Sequence, residues 1–191
     1  NLDLKNYRIA KNYFLKALKI SANAKTLYFL GQILTELEDF DKAIEFYNKS
    51  ILMEKDADAS YNIGYLYYFL GSLDKAKKNI LNAIKINPTH DAAYNNLGLI
   101  NMAYGNFIDA KQNFLYAMKY NPMNTKAHFN ISKLINYKDD NEQFKKLLIL
   151  SKSPKLNEEK KELLYFTLGK AWGDKGDHKK SFYYYEKANL L

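Results

Sequence analysis

Apolar residues recur along most of the chain at spacings that predict amphipathic helices. One such face consists of Leu30, Ile33, Leu34 and Leu37, which stand at positions i, i+3, i+4 and i+7. Residues 63–70 repeat this pattern. A polar break containing Gly or Asp follows each of these stretches, and a second apolar-periodic stretch follows the break. Each pair of stretches therefore predicts a helical hairpin.

The hairpin pattern repeats with a period of 33 or 34 residues. An apolar residue followed by glycine recurs at this period, with the glycines at Gly31, Gly64 and Gly98. Alanines keep the same period at Ala10, Ala43, Ala76 and Ala110. We expect these small residues where the two helices of a hairpin cross, because larger side chains would push the helix axes apart.

These residues resemble the tetratricopeptide repeat (TPR), a 34-residue helix-turn-helix unit with Leu-Gly, Tyr, Ala, Phe, Ala and Pro at fixed positions. Segments 57–90 and 91–124 match this pattern best. The resemblance implies an all-α fold, a right-handed superhelical solenoid of TPR helical hairpins. It also implies a protein-protein interaction module, whose partner is a protein or peptide held in the concave groove.

The repeats predict a single array over residues 1–191. Its parts are the second helix of a partial unit (1–23), full units (24–56, 57–90 and 91–124), a divergent unit (125–157) and a last unit (158–191). In the divergent unit, Ser132 replaces the crossing glycine and Phe144 stands where alanine is expected. This change predicts a wider or shifted hairpin and leaves the register of residues 138–160 open.

Composition changes this picture little. The chain has 191 residues with 29 Lys+Arg against 21 Asp+Glu, a net charge of +8, but Arg8 is the only arginine. Proteins that bind nucleic acid usually rely on arginine for phosphate contacts, so nucleic acid is not an expected partner. No apolar run approaches the roughly 18–20 residues of a membrane span. The compartment stays open, with the cytoplasm as the expectation.

Nothing in the sequence predicts catalysis. His90, His128 and His178 lie in different units, and none has a second ligand at metal-binding spacing. The chain has no cysteine, which removes thiolate nucleophiles and cysteine-ligated metals. We therefore expect no catalytic residue, no metal and no cofactor, and the chain by itself is not expected to be an enzyme.

A row of asparagines provides the best candidate for recognition. Asn62, Asn96 and Asn130 are spaced by 34 and 34 residues, each two positions before the glycine position. An amide both donates and accepts hydrogen bonds, so such a row suits the backbone of an extended peptide. It resembles the asparagine ladder in the repeat array of the enzyme that attaches N-acetylglucosamine to serine and threonine. The alternative is that asparagine is simply frequent at this position in TPRs.

Further residues are predicted to share the groove because they lie one helical turn from the row or from each other. They are Tyr28, Tyr61, Tyr65, Phe69, Asn95, Leu99, Phe129 and Lys133. Aromatic side chains with a polar tip make efficient contacts. Tyr61 and Tyr65 have an alternative role as packing between units. Tyr28 and Gln32 replace the first two residues of the carboxylate clamp of chaperone-binding TPRs, so a Glu-Glu-Val-Asp terminus is not an expected ligand.

Two alternatives concern the end of the chain. Residues 166–189 contain a C-terminal motif formed by Phe166, Gly169, Lys170, Asp174, Gly176 and Asn189. It resembles the last repeat before the sulfotransferase domain of bacterial TPR-sulfotransferase proteins. This resemblance implies a substrate-recruiting N-terminal part of a larger enzyme whose catalytic domain lies beyond Leu191. The other alternative is self-association through the terminal repeats, around residues 182–185.

Overall fold

The structure of the chain, a computed structural model, describes residues 2–191, with side chains described from residue 3 onward. All regular secondary structure in that range is helical. The helices are α1 (Leu2–Ile20), α2 (Ala24–Glu36), α3 (Phe40–Met53), α4 (Ala57–Phe69), α5 (Leu73–Ile86), α6 (Asp91–Ala103), α7 (Phe107–Tyr120), α8 (Thr125–Ser132), α9 (Asn141–Leu150), α10 (Glu158–Asp174) and α11 (His178–Asn189). They form two compact units, the first ending at Ala93 and the second comprising Tyr94–Leu191.

In the first unit, α1 packs against α2, and the hairpins α2–α3 and α4–α5 stack through α3 and α4. The core contains Leu34, Tyr47, Ile63 and Leu66, all nearly inaccessible to solvent. The hairpin crossing requires a small residue for steric reasons, because a Cβ on Gly64 would lie 2.8 Å from the Ile80 side chain. The crossing therefore tolerates no larger residue without a shift of the helices.

The turns inside these hairpins close in the same way. A residue with a positive φ follows the first helix of each hairpin. It is Glu38 after α2, with a φ of 58°, and Gly71 after α4, with a φ of 73°. The backbone N–H of the next residue then donates to a carbonyl in the last turn of the helix. Ser72 donates to Tyr67 at 2.8 Å, and Asp39 donates to Leu34 at 2.9 Å. This is the Schellman arrangement, which glycine adopts without steric cost and glutamate does not.

His90 acts as a helix cap. Its Nδ1 accepts a hydrogen bond from the backbone N–H of Ala93 at 3.2 Å. The proton therefore resides on Nε2, which donates to Asp58 Oδ1 at 3.1 Å. The ring also packs against Tyr61, with centroids 5.0 Å apart. These contacts give His90 a structural role at the start of α6.

In the second unit, the regular crossings recur at α6–α7 and α10–α11. A Cβ on Gly98 would clash with the ring of Phe114, and one on Gly169 would lie 2.8 Å from Tyr185. Phe114 is fully buried among the residues of α7 and α8. Bulky residues thus fill the space opposite each crossing glycine.

The divergent hairpin α8–α9 is shortened. Helix α8 has 8 residues where α4 has 13, and it ends at Ser132, the position of the missing glycine. Its last turn is replaced by a loop over residues 133–140. Phe144 packs edge-on against Trp172 of α10, with centroids 4.9 Å apart. The sequence predicted a wider or shifted crossing here; in the structure the first helix stops before it reaches Phe144.

Helix α10 holds this loop in place. Asp174 Oδ2 accepts a hydrogen bond from the backbone N–H of Tyr137 at 3.0 Å. Lys170 donates to the carbonyl of Ile135 at 3.0 Å and forms an ion pair with Asp174. The fully buried side chain of Tyr137 fills the core between the loop and α10. Polar contacts from α10 therefore hold the loop that follows the short α8.

Candidate functional site

The candidate groove residues lie on the first helices of the hairpins. Helix α2 carries Tyr28; α4 carries Tyr61, Asn62, Tyr65 and Phe69; α6 carries Asn95, Asn96 and Leu99; α8 carries Phe129 and Asn130, and Lys133 directly follows it. The surroundings of these residues differ between the two compact units.

A cleft of about 590 Å³ lies in the first unit, between α1, α2 and α4. We name it the aromatic cleft. Its lining consists of Tyr7, Ala10, Phe14, Phe29, Gln32, Ile33, Thr35, Glu36, Tyr47, Tyr61, Asn62, Tyr65 and Leu66. Three predicted groove residues, Tyr61, Asn62 and Tyr65, thus meet in one concave site.

The amide of Asn62 belongs to a small polar network at this cleft. Its Nδ2 donates to the hydroxyl of Tyr28 at 3.4 Å, and Gln32 Nε2 donates to the same hydroxyl at 3.0 Å. Burial raises the pKa of Tyr28, so its hydroxyl stays protonated at neutral pH. Asn62 also forms a hydrogen bond with the hydroxyl of Tyr47, and its side chain is half-buried. Asn62 therefore lines the cleft as part of a polar network with two tyrosine hydroxyls.

Two tyrosines of α4 form one wall of the aromatic cleft. The rings of Tyr61 and Tyr65 stack with centroids 6.4 Å apart and planes inclined by 24°. The side chain of Tyr65 is 45% exposed. Its accessible ring can gain further buried area when a ligand packs on it.

Phe69 lies apart from this site. It stands at the C-terminal end of α4, is 64% exposed, and packs against Phe40 with ring centroids 5.5 Å apart. It does not line the aromatic cleft. The structure therefore separates Phe69 from the residues with which the sequence grouped it.

In the second unit, the predicted amides bond to each other. Asn95, Asn96 and Asn130 are 5%, 5% and 7% exposed. Asn130 Nδ2 donates to Asn95 Oδ1 at 3.0 Å, and Asn95 Nδ2 donates to Asn96 Oδ1 at 3.4 Å. The Nδ2 of Asn96 is buried without an acceptor among the described residues. Unlike Asn62, these amides are largely occupied within the protein.

The other predicted residues of this unit surround the amide chain. Lys133 Nζ donates to Asn130 Oδ1 at 3.4 Å and lies 4.3 Å from the centroid of the Phe129 ring. Leu99 is half-buried against the core of α7 and α8. Of this group, only Lys133 is substantially exposed.

Sequence reasoning missed part of the aromatic cleft. Phe14 of α1 and Phe29 of α2 pack with centroids 5.8 Å apart and line it. Phe29 stands 33 residues before Asn62, at the same repeat position, so the period could have identified it. Gln32 lies one helical turn after the predicted groove residue Tyr28, so helical spacing could have identified it as well. Phe14 precedes the full repeats and offered no such signal.

The residues of the C-terminal motif have structural roles within the second unit. Lys170 and Asp174 hold the loop of the preceding hairpin. Gly176 has a φ of 79° in the turn between α10 and α11. Phe166 packs against Tyr185 with centroids 6.3 Å apart. These roles need no catalytic domain, so recruitment of a substrate for a sulfotransferase stays a prediction. Self-association also stays a prediction; Phe182 is 70% exposed.

The part of the chain that the structure describes contains neither a metal-binding cluster nor a membrane-spanning helix. No cluster of three or more His, Asp or Glu side chains suits a metal ion there. None of the helices between residues 2 and 191 is long and apolar enough to span a membrane.

Comparisons with known proteins agree with the hairpin architecture. The tetratricopeptide repeat family model matches residues 1–23, 24–56 and 57–90. BBSome complex member BBS4 of Bos taurus is 30% identical over 105 residues, which cover 54% of this chain. The aligned part spans 20% of the length of that relative. Residues 1–90 therefore contain tetratricopeptide repeats.

Solved structures extend the fold assignment over the rest of the chain. The structure of pilF from Pseudomonas aeruginosa aligns with 100% of this chain and 86% of its own, with a TM-score of 0.75 and 19% identity. The crystal structure of YrrB, a TPR protein with an unusual peptide-binding site, aligns with 92% of this chain and 90% of its own, with a TM-score of 0.61 and 17% identity. The predicted fold class, an all-α TPR solenoid, is confirmed.

Proposed function

We propose that this chain is a protein-interaction module that binds an extended peptide segment along the first helices of its hairpins. The aromatic cleft of the first unit is the principal contact site in this proposal. The observation that carries it is that the amide of Asn62 and the exposed ring of Tyr65 line the same concave site. The peptide-binding site of YrrB, a protein of the same fold, also supports the proposal.

The lining of the aromatic cleft indicates which peptides it suits. Glu36 is the one charged residue among the side chains that line it. A peptide carboxylate would therefore meet no cation in the cleft, whereas apolar or aromatic side chains would pack on the tyrosines and phenylalanines. We propose a ligand with neutral, apolar side chains flanked by free backbone amides.

The peptide backbone is held by few hydrogen bonds in this proposal. A backbone N–H of the ligand donates to Asn62 Oδ1, and each such bond contributes about 0.5–1.5 kcal/mol net. Partial burial of Tyr65 adds to this, while ordering of the peptide opposes it. An affinity on the order of micromolar follows. In the second unit, Asn130 Nδ2 and Asn96 Oδ1 take part only if a ligand replaces Asn95 as their partner.

The proposal is tested by selecting binders from a random dodecapeptide library and measuring the affinity of a selected peptide by fluorescence anisotropy. Substitutions Tyr65→Ala and Asn62→Ala should each weaken binding, Tyr65→Ala by about tenfold or more, because it removes ring area and a stacking partner. Helical circular dichroism should be unchanged for Tyr65→Ala, since that ring is substantially exposed.

Matched controls are available in the same unit. Tyr13 is 68% exposed on α1 and lies outside the aromatic cleft, so Tyr13→Ala should bind as the wild type does. Asn79 on α5 bonds to the carbonyl of Lys75 in its own helix and serves as the control for Asn62. Equal affinities of Tyr65→Ala and Tyr13→Ala would contradict the proposal.

A further inference from the structure

A second cleft lies in the second unit, between α7 and α9, the second helices of successive hairpins. Its volume is about 550 Å³, within the range of about 300–1,000 Å³ usual for small-molecule sites. We name it the lysine-rimmed cleft. It shares no lining residue with the aromatic cleft, and none of its residues is among the predicted groove residues.

The walls of this cleft are apolar. They are formed by Leu115, Met118, Met123, Ile149 and Leu150. Met118 and Leu150 are buried, whereas Ile149 is 72% exposed at the mouth. Methionine side chains adapt to the shape of an apolar ligand because they are unbranched and polarizable. The cleft therefore suits a flexible apolar body.

The polar side chains of this cleft either carry a positive charge or already form a hydrogen bond within the protein. His128 Nε2 bonds to the carbonyl of Pro122 at 3.1 Å. Burial lowers the pKa of His128 to about 4, so the imidazole is neutral at neutral pH and donates that hydrogen bond. The positive charge at the cleft consequently comes from Lys119 and Lys146.

Both lysines are accessible to an anion. Lys119 has no carboxylate partner among residues 2–191; its Nζ lies 5.7 Å from the Tyr120 ring centroid. Lys146 pairs with Glu142 at 2.7 Å, but the side chains are 48% and 77% exposed. Exposed pairs of this kind contribute little to stability, so a ligand carboxylate can replace Glu142.

We propose that the lysine-rimmed cleft binds an apolar monocarboxylate, with its hydrocarbon chain along the methionine-lined wall and its carboxylate at Lys119 or Lys146. The apolar wall alone would accept any hydrophobic ligand. The two lysines in its lining favour an anionic ligand, and the cleft volume suits a small molecule better than a whole partner helix. This site is independent of peptide binding in the first unit.

The probe is dodecanoate, used below its micelle concentration, with dodecyltrimethylammonium as the ligand of the same chain length and opposite charge. Isothermal titration calorimetry on the full chain should show binding of dodecanoate at least tenfold tighter than that of dodecyltrimethylammonium. The double variant Lys119→Glu, Lys146→Glu should lose this preference. The control Lys145→Glu changes an exposed neighbour that does not line the cleft, and should keep most of it.

Methionine methyl groups report where the ligand binds. The chain has 4 methionines, two of which, Met118 and Met123, line this cleft. In ¹³C-methyl-labelled protein, dodecanoate should shift the signals of Met118 and Met123 and leave that of Met53, 54% exposed in the first unit, in place. Ile149→Asp, at an exposed position, should weaken binding by about tenfold.

Three results would overturn the proposal. They are equal affinity for the two probes, methyl shifts at Met53 rather than at Met118 and Met123, and undiminished binding to Ile149→Asp. Displacement of dodecanoate by a peptide selected on the aromatic cleft would also contradict it, because the two sites share no residue.

Discussion

The hairpins α4–α5 and α8–α9 solve the same packing problem in different ways. In α4–α5, glycine at the crossing brings the backbone of one helix against Ile80 of the other. In α8–α9, Ser132 occupies the crossing position, and the first helix ends there. The loop that follows is held by Lys170 and Asp174. A repeat can thus lose its crossing glycine when the next hairpin supplies polar contacts.

The substitution with the largest expected effect disrupts the regular crossing of α4 and α5. Gly64→Val places a branched side chain where even a Cβ lies 2.8 Å from Ile80, so it should destabilise the protein by at least about 3 kcal/mol. Urea denaturation followed by circular dichroism measures the change. Ser132→Gly, at the same repeat position, should change stability by less than about 1 kcal/mol. A similar loss in both variants would remove the distinction between the hairpins.

The next effect tests the loop of the divergent hairpin. Asp174→Ala leaves the backbone N–H of Tyr137 without its acceptor and removes the carboxylate partner of Lys170, and should cost about 2 kcal/mol. Hydrogen exchange of the Tyr137 amide should accelerate, while amides of α4 in the first unit should be unaffected. Unchanged exchange at Tyr137 would show that Asp174 does not hold the loop.

His128 makes the second unit sensitive to acid. Its pKa is lowered to about 4 from 6.5, so the unfolded chain binds a proton more readily than the folded chain. The free energy of unfolding therefore keeps its full value above pH 6.5 and falls as the pH drops toward 4. The loss from this histidine is about 2 kcal/mol at pH 5. Urea denaturation of wild type and His128→Gln at pH 7 and 5 checks this. An equal pH dependence of both proteins would contradict it.

The smallest expected effect concerns the turn after α2. Glu38 adopts a φ of 58°, where the turn after α4 has Gly71. Glu38→Gly should therefore stabilise the protein by about 1 kcal/mol, since glycine adopts this conformation without steric cost. Thermal denaturation measures the gain. Glu45→Gly, at an exposed position inside α3, is the control and should destabilise by about 1 kcal/mol.

The regular hairpins could be predicted from the sequence because their signals are local and periodic. The positions of Gly64 and Ala76 follow from a spacing that a single pass along the chain shows. The anchoring of Tyr137 by Asp174 could not be predicted, since it joins residues 37 apart through one hydrogen bond with no repeat equivalent. Helix periodicity carries no information about such a contact.

The candidate site was predictable only in part for a similar reason. Helical spacing grouped Tyr61, Asn62 and Tyr65, and the three side chains line one cleft in the structure. It could not show that Asn130 bonds to Asn95, because the choice of amide partner depends on side-chain neighbours in three dimensions. Equal positions in successive repeats therefore predict a common helix face, but do not predict equal availability to a ligand.

The buried amides of the second unit form a directional chain. Lys133 donates to Asn130, Asn130 to Asn95, and Asn95 to Asn96, whose Nδ2 ends the chain. Hydrogen bonds that run in one direction polarise one another, so their dipoles add. The amine of Lys133 thereby makes the terminal N–H of Asn96 more positive than an isolated amide, and transmits its charge inward although no ion is buried there.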